Sequence, residues 1–332
     1  MATYLRAVLV TGFCVVLAAC GGGGSSPSTG PLTLSVTDSP IDPNAISDVC
    51  IAFTGMTVHY ASQPDVVLDY SPLPSQVTSA THCIDGVWNG MTPVPPVRLN
   101  ALGGTLTAAL AESLRIPVGR VTWIRLQFAS GASYVQEATG QYDLQCPSCD
   151  VTDNNGGRGF KLNNTFQVTS AGLALTVDID LLKSLHKDNT GYVLRPTARI
   201  ALDNTLGTIA GTVADTVITG QGGMLYDGTS VETNCAAYVF EGDGITPDDY
   251  YDGSPVFATA RVRYDMTSDP VTPSYRYAAG ALPAGTYTVA LTCSPDDPTA
   301  DDPNTGTASN AVLFTDAQTA TVVASQTTDT SF

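Results

Sequence analysis

Apolar and polar residues alternate with period two over much of this chain, as expected for half-buried strands. Leu173, Leu175, Val177, Ile179 and Leu181 share one face of such a segment, with Ala174, Thr176, Asp178 and Asp180 on the other. Ile124, Leu126 and Phe128 repeat the pattern after Trp123. Over 49–60 the apolar phase runs Val49, Ile51, Phe53 and then shifts to Met56, Val58, Tyr60. A β-bulge at Gly55 restores the inward face without a register slip. One segment departs from the alternation: Leu106, Ala109, Leu110 and Leu114 recur at helical spacing, which predicts an amphipathic helix over 105–114.

A closing strand over 192–202 puts a domain boundary near Leu206-Gly207. A new strand series opens at 208–213 and continues at about 236–240, 256–264, 275–279, 286–293, 312–314 and 320–324. Seven short strands separated by Gly, Pro, Asn and Asp fit one immunoglobulin- or transthyretin-like sandwich. Residues 116–122 and 282–288 echo each other, each with a Pro/Gly turn feeding an alternating strand. The predicted fold is all-β, two β-sandwich domains in tandem over 32–206 and 207–332.

The first residues follow a different logic. Arg6 and a short apolar run over 7–19 lead into Leu17-Ala18-Ala19-Cys20. The run is shorter than the ~20 residues needed to span a bilayer. It resembles the lipobox of bacterial lipoprotein signal peptides, in which the Cys thiol is acylated and residues 1–19 are removed. Residues 20–31, Gly/Ser/Thr/Pro after the Cys, read as a solvated tether. In Gram-negative lipoproteins Asp after the Cys favours inner-membrane retention; Gly21 stands there, so the resemblance implies an outer-membrane protein, periplasmic or surface-facing, held to the membrane through acylated Cys20.

Charge is scarce, at 14% of residues, and unbalanced, with a net −17. Residues 21–206 carry 15 acids and 10 bases, net −5, whereas 207–332 carry 16 acids and 3 bases, net −13. Such a surface repels phosphate backbones and excludes nucleic acid as a partner. It suits divalent cations or basic surfaces, and also simply keeps an exported chain soluble.

Beyond Cys14 and Cys20, six cysteines remain, and an even count in an exported chain implies disulfides. Sequence proximity favours Cys50–Cys83, Cys146–Cys149 and Cys235–Cys293, one of the 15 connectivities open to six Cys. Cys146-Pro147-Ser148-Cys149 matches redox CxxC spacing, but Asp143, Asp150 and Asp153 surround it in an expected loop with no helix start to lower a thiolate pKa. A structural disulfide is the favoured reading.

Four ordered motifs, Leu34-Ser35-Val36-Thr37-Asp38-Ser39-Pro40, Thr122-Trp123-Ile124-Arg125-Leu126, Val177-Asp178-Ile179-Asp180-Leu181 and Leu194-Arg195-Pro196, resemble a bacterial lipoprotein family called domain of unknown function 4382 over about 31–205. Val121 stands where that family would carry Tyr. The resemblance implies an exported, lipid-anchored β domain without a known activity. The second half, from Gly207-Thr208-Ile209-Ala210-Gly211-Thr212-Val213 to Leu282-Pro283-Ala284-Gly285-Thr286-Tyr287, resembles carboxypeptidase-regulatory or transthyretin-like modules, which are non-catalytic sandwiches.

Candidate chemistry is thin. His59, His82 and His186 are scattered, without zinc-ligand spacing, and there is no Gly-x-Ser-x-Gly elbow, phosphate loop or dinucleotide fingerprint. His59 is out of phase with the apolar set of its strand and should face solvent; His186 falls in an expected short turn. Asp178 and Asp180 project from one strand face and could hold a metal or form an acid/base pair; the plainer reading is that they bond loop amides or face water. Two acidic loops, one with Asp243, Asp248, Asp249 and Asp252, the other with Asp296, Asp297, Asp301 and Asp302, could supply oxygens for Ca²⁺ or be solvated turns. Tyr250, Tyr251, Tyr264, Tyr275 and Tyr277 could form a sugar- or peptide-binding surface or pack the core.

The sequence therefore reads as a non-enzymatic envelope lipoprotein that binds protein or glycan, with no required cofactor and Ca²⁺ as an optional ion. The alternatives are a carbohydrate-binding accessory module and, more distantly, a metal-assisted hydrolase using Asp178 and Asp180. The lipobox makes a direct prediction: Cys20→Ala moves the protein from membrane to soluble fractions and abolishes fatty-acid labelling. Labelled, membrane-bound Cys20→Ala protein contradicts it.

Overall fold

The computed structural model describes residues 28–39, 46–70, 83, 96–151, 158–248, 256–266, 274–294 and 312–332. Within them the chain is all-β with three short helices. Its first half runs β1 (Thr29–Ser39), β2 (Ile46–Ile51), β3 (Phe53–Tyr60), β4 (Val66–Asp69), β5 (Val97–Arg98), β6 (Ala108–Pro117), β7 (Gly119–Phe128), β8 (Tyr134–Glu137), β9 (Gly140–Gln145), α1 (Pro147–Asp150), β10 (Phe160–Val168), β11 (Leu173–Asp180), α2 (Leu181–Ser184), β12 (Leu185–Asp188), β13 (Gly191–Leu194) and β14 (Ala198–Leu202). These strands form three sheets, β14-β11-β1-β6, β10-β7-β3-β4 and β12-β13-β9-β8-β2-β5. The second half follows with β15 (Leu206–Val213), α3 (Asp215–Gly220), β16 (Glu232–Glu241), β17 (Val256–Tyr264), β18 (Tyr275–Pro283), β19 (Gly285–Thr292), β20 (Gln318–Val322) and β21 (Thr327–Asp329). They make one sheet, ordered β20-β19-β16-β17-β18-β15-β21, rolled until its edge strands meet: Thr328 Oγ1 on β21 donates to the Thr321 carbonyl on β20 at 2.6 Å.

The alternating faces behave as the pattern dictates. Leu32, Leu34 and Val36 of β1 pair in parallel with Leu173, Leu175 and Val177 of β11, and all join the first core. The 49–60 run divides at Ala52, because β2 and β3 serve different sheets, and the register against β7 shifts between Phe53 and Gly55 where the bulge was predicted.

The helix predicted over 105–114 does not form; from Ala108 on, the segment is β6, antiparallel to β1. Its register against β1 slips twice, with Leu32 opposite Leu114, Leu34 opposite Ala111 and Ser35 opposite Ala109. Each slip adds a residue on β6, and two added residues turn an alternating strand into one with helix-like apolar spacing. The expected turn around His186 is also strand, β12, preceded by the single turn of α2. The expected strand at 312–314 reduces to an isolated bridge between Thr292 and Phe314.

The disulfides are Cys50–Cys83, Cys146–Cys149 and Cys235–Cys293. Contrary to the loop expected around Cys146, a helical turn begins there: Pro147, lacking an N–H, sits at the start of α1, where none is needed. Both sulfurs of that pair are sealed in the first core, which leaves no exposed thiolate for redox exchange.

β16 fastens the halves together. Cys235, Ala237 and Val239 face the second core, while Tyr238 and Phe240 join the first, as does Val256 of β17. Phe314 lies edge-on to both rings, 5.3 Å from Tyr238 and 6.1 Å from Phe240. Beside this apolar contact lies a charged one. Asp178 on β11 is directly opposite Arg199 on β14, and the two form an ion pair. The Arg199 guanidinium lies 3.9 Å over the Phe257 ring and donates to the carbonyls of Phe257 (3.3 Å) and Ala281 (3.5 Å). Lys183 pairs with Asp180 at 2.9 Å and donates to the Val256 carbonyl at 2.5 Å. Asp38 accepts from the Leu181 amide at 3.0 Å.

Burial dominates these carboxyls. It pushes Asp178 up to about 6 although Arg199 pulls it down, and holds Asp38 well above the ordinary carboxylate range against the Leu181 amide. A carboxyl raised in the folded state disfavours the fold when charged, so stability increases as pH falls from above 6 towards 4. Asn at 178 stays neutral throughout. The wild type therefore gains stability relative to Asp178→Asn between pH 7.5 and pH 4.5, by about 2 kcal/mol. Urea titrations across that range check it; a pH-independent difference contradicts it.

Candidate functional site

The second half carries three basic residues among sixteen acids, and all three line one cleft. Arg261 and Arg263 are two apart on β17 and so project from the same face. Arg263 is directly opposite Arg276 on β18. Like charges opposite each other in a sheet are unfavourable, so three guanidiniums on one face need compensation. Asp265 supplies part of it, 2.9 Å from Arg276, and Asp329 of β21 lines the same cleft. The cavity measures about 490 Å³.

Its far wall comes from the first half, residues 103–106. The Gly280 amide donates to the Gly104 carbonyl at 2.9 Å, and Gly104 has a positive φ of 84°. A Cβ on Gly104 would lie 2.7 Å from the Ala278 carbonyl oxygen, and one on Gly280 would strike Gly104 itself. Only glycine lets these two backbones meet. A smaller cavity of about 310 Å³ adjoins this wall and is lined by Thr37, Thr176 and Asp203. Burial raises the Asp203 carboxyl although it accepts from Thr176 at 2.8 Å.

Asp178 and Asp180 are engaged with Arg199 and with Lys183 at the junction of the halves, and Asp180 also caps α2 through the Lys183 amide at 3.1 Å. Asp180 thus bonds a backbone amide, whereas Asp178 is held by the Arg199 side chain. Of the two acidic loops, Asp243 is exposed and accepts from Thr319 at 2.7 Å, and Asp248 is half-buried. Asp249, Asp252, Asp296, Asp297, Asp301 and Asp302 lie outside the described residues, as do Cys20, His82, Tyr250 and Tyr251. Among the described residues no three His, Cys, Asp or Glu side chains gather as a metal site. Tyr275 and Tyr277 are buried in the second core and Tyr264 stacks on Tyr226 at 4.3 Å, while Tyr264 and Tyr277 also contribute to the lining of the cleft. His59 is half-exposed, bonded to Asp65 at 2.6 Å and stacked on Trp123 at 4.4 Å. His186 is lowered by burial and by nearby Arg195.

The arginine cleft is the feature sequence reasoning missed. Its signal was present: an i, i+2 pair of arginines on a strand, in a segment otherwise almost without bases. Spacing alone does not bring up Arg276 or the 103–106 wall.

No curated protein matches the chain. Among solved structures, GBS52, the minor pilin of the Gram-positive pathogen Streptococcus agalactiae, is similar at 11% identity over 90% of this chain and 94% of that one, with a TM-score of 0.18. A correspondence that loose carries no argument about function. The family described as Domain of unknown function (DUF4382) matches residues 29–196, from β1 through β13. That stretch holds the β1–β11 pairing and all four motifs noted in the sequence, and on it the chain belongs to the DUF4382 family.

Proposed function

We propose that this chain is a non-enzymatic binding protein of the bacterial outer membrane, anchored through acylated Cys20, whose ligand face is the cleft between its halves. The observation that carries the reading is the cleft itself: a cavity of about 490 Å³ with converging arginines, carboxylates and hydroxyls, walled by both halves. Three disulfides belong to an oxidising compartment, which supports export. Asp178 and Asp180 are tied to cations that bridge the halves, which supports a structural role for them over acid/base chemistry. The ligand is a protein or a glycan, and the acidic loops give Ca²⁺ a place to assist.

A glycan and surface-protein screen of the mature chain, with Ca²⁺ and with chelator, tests this. Thr212 is exposed at the cleft, and Thr212→Trp would fill it. The variant loses at least about tenfold in affinity for whatever ligand the screen returns, the scale of a blocked pocket. A ligand held equally well by wild type and Thr212→Trp places the binding face elsewhere.

A further inference from the structure

Resting on that reading of the cleft, we propose that it recognises a carboxylated sugar, a uronic-acid unit of a glycan. An arginine edge matches a planar carboxylate with two parallel hydrogen bonds, and Arg261, Arg263 and Arg276 line one space, Arg276 with its Nε on Asp265. Arginines alone would serve any anion. The remaining lining narrows the class: Asp329 and Asp265, the latter already on Arg276, add acceptor oxygens and repel a second negative charge, while Thr327 and Thr212, whose hydroxyl donates to Ser331, add hydroxyl oxygens. A ligand that suits both sets carries one carboxylate and several hydroxyl donors, which is the chemistry of a sugar acid. The volume falls within the few hundred Å³ typical of small-molecule sites. The net −13 of residues 207–332 disfavours a dense polyanion, whose many charges would meet that field, far more than a single carboxylate.

Calorimetric titration of residues 21–332, without the lipid anchor, tests the proposal with three probes: galacturonic acid, the neutral galactose and inorganic sulfate. Galacturonate binds, and both other probes bind at least about tenfold more weakly, the loss expected when a charge-assisted bond or the hydroxyl contacts are missing. Arg263→Gln and Arg276→Gln each weaken galacturonate by a similar factor. Arg276 is 56% exposed, so its variant keeps the wild-type melting temperature and separates recognition from folding. Sulfate binding as tight as galacturonate makes the cleft a general anion site and overturns the assignment. So does galacturonate binding that ignores both arginine variants. If galactose or a peptide binds instead and Thr212→Trp blocks it, the cleft remains the ligand face and the sugar-acid inference alone fails. If Thr212→Trp blocks nothing, both fail.

Discussion

The two-sided burial of β16 is the constraint on which the remaining architecture rests. A strand in a rolled sheet ordinarily gives one face to its own core and the other to water. Here Tyr238 and Phe240 turn outward into the first core while Cys235, Ala237 and Val239 turn inward. Each buried ring contributes roughly 2–3 kcal/mol relative to exposure. Removing the first half would leave those rings, with Val256 and Phe314, as an apolar patch on the second. The 103–106 wall meets β18 across this fixed junction through the Gly104–Gly280 bond, and that meeting creates the cleft.

Charge follows the same geometry. The first half holds 10 of the 13 bases beyond residue 20, and two of them, Lys183 and Arg199, reach across to backbone carbonyls of the second. The second half gathers its three bases in the cleft, where Arg276 pairs with Asp265 of the same half. Asp178 is buried, and desolvation outweighs Arg199 in setting its protonation, so this ion pair weakens the fold when the carboxyl is charged, whereas the rings of β16 bury apolar surface at any pH.

Much of this was legible in the sequence. The alternation at 173–181 and after Trp123 placed the apolar faces in the core, although Thr176, Asp178, Trp123 and Arg125 on the opposite faces are buried as well. The cysteine pairs followed proximity, and the limits of the 256–264 strand matched β17. The errors have local causes. In β6 two bulges reproduce helical spacing, and with Ser113 at a positive φ the backbone absorbs what a pattern reads as a turn of helix. The uninterrupted run Cys235 to Phe240 marked a strand, and its lack of alternation was the sign of burial on both faces. The cleft was not legible, since its two walls, 103–106 and the strands of the second half, lie more than 100 residues apart and meet only where two glycines allow it.

If β16 joins the two cores into one cooperative unit, the halves cannot melt independently. Differential scanning calorimetry of the mature chain with its disulfides intact measures this directly. The account predicts a single unfolding transition with equal calorimetric and van't Hoff enthalpies. Two separated transitions, each with its own enthalpy, would contradict it.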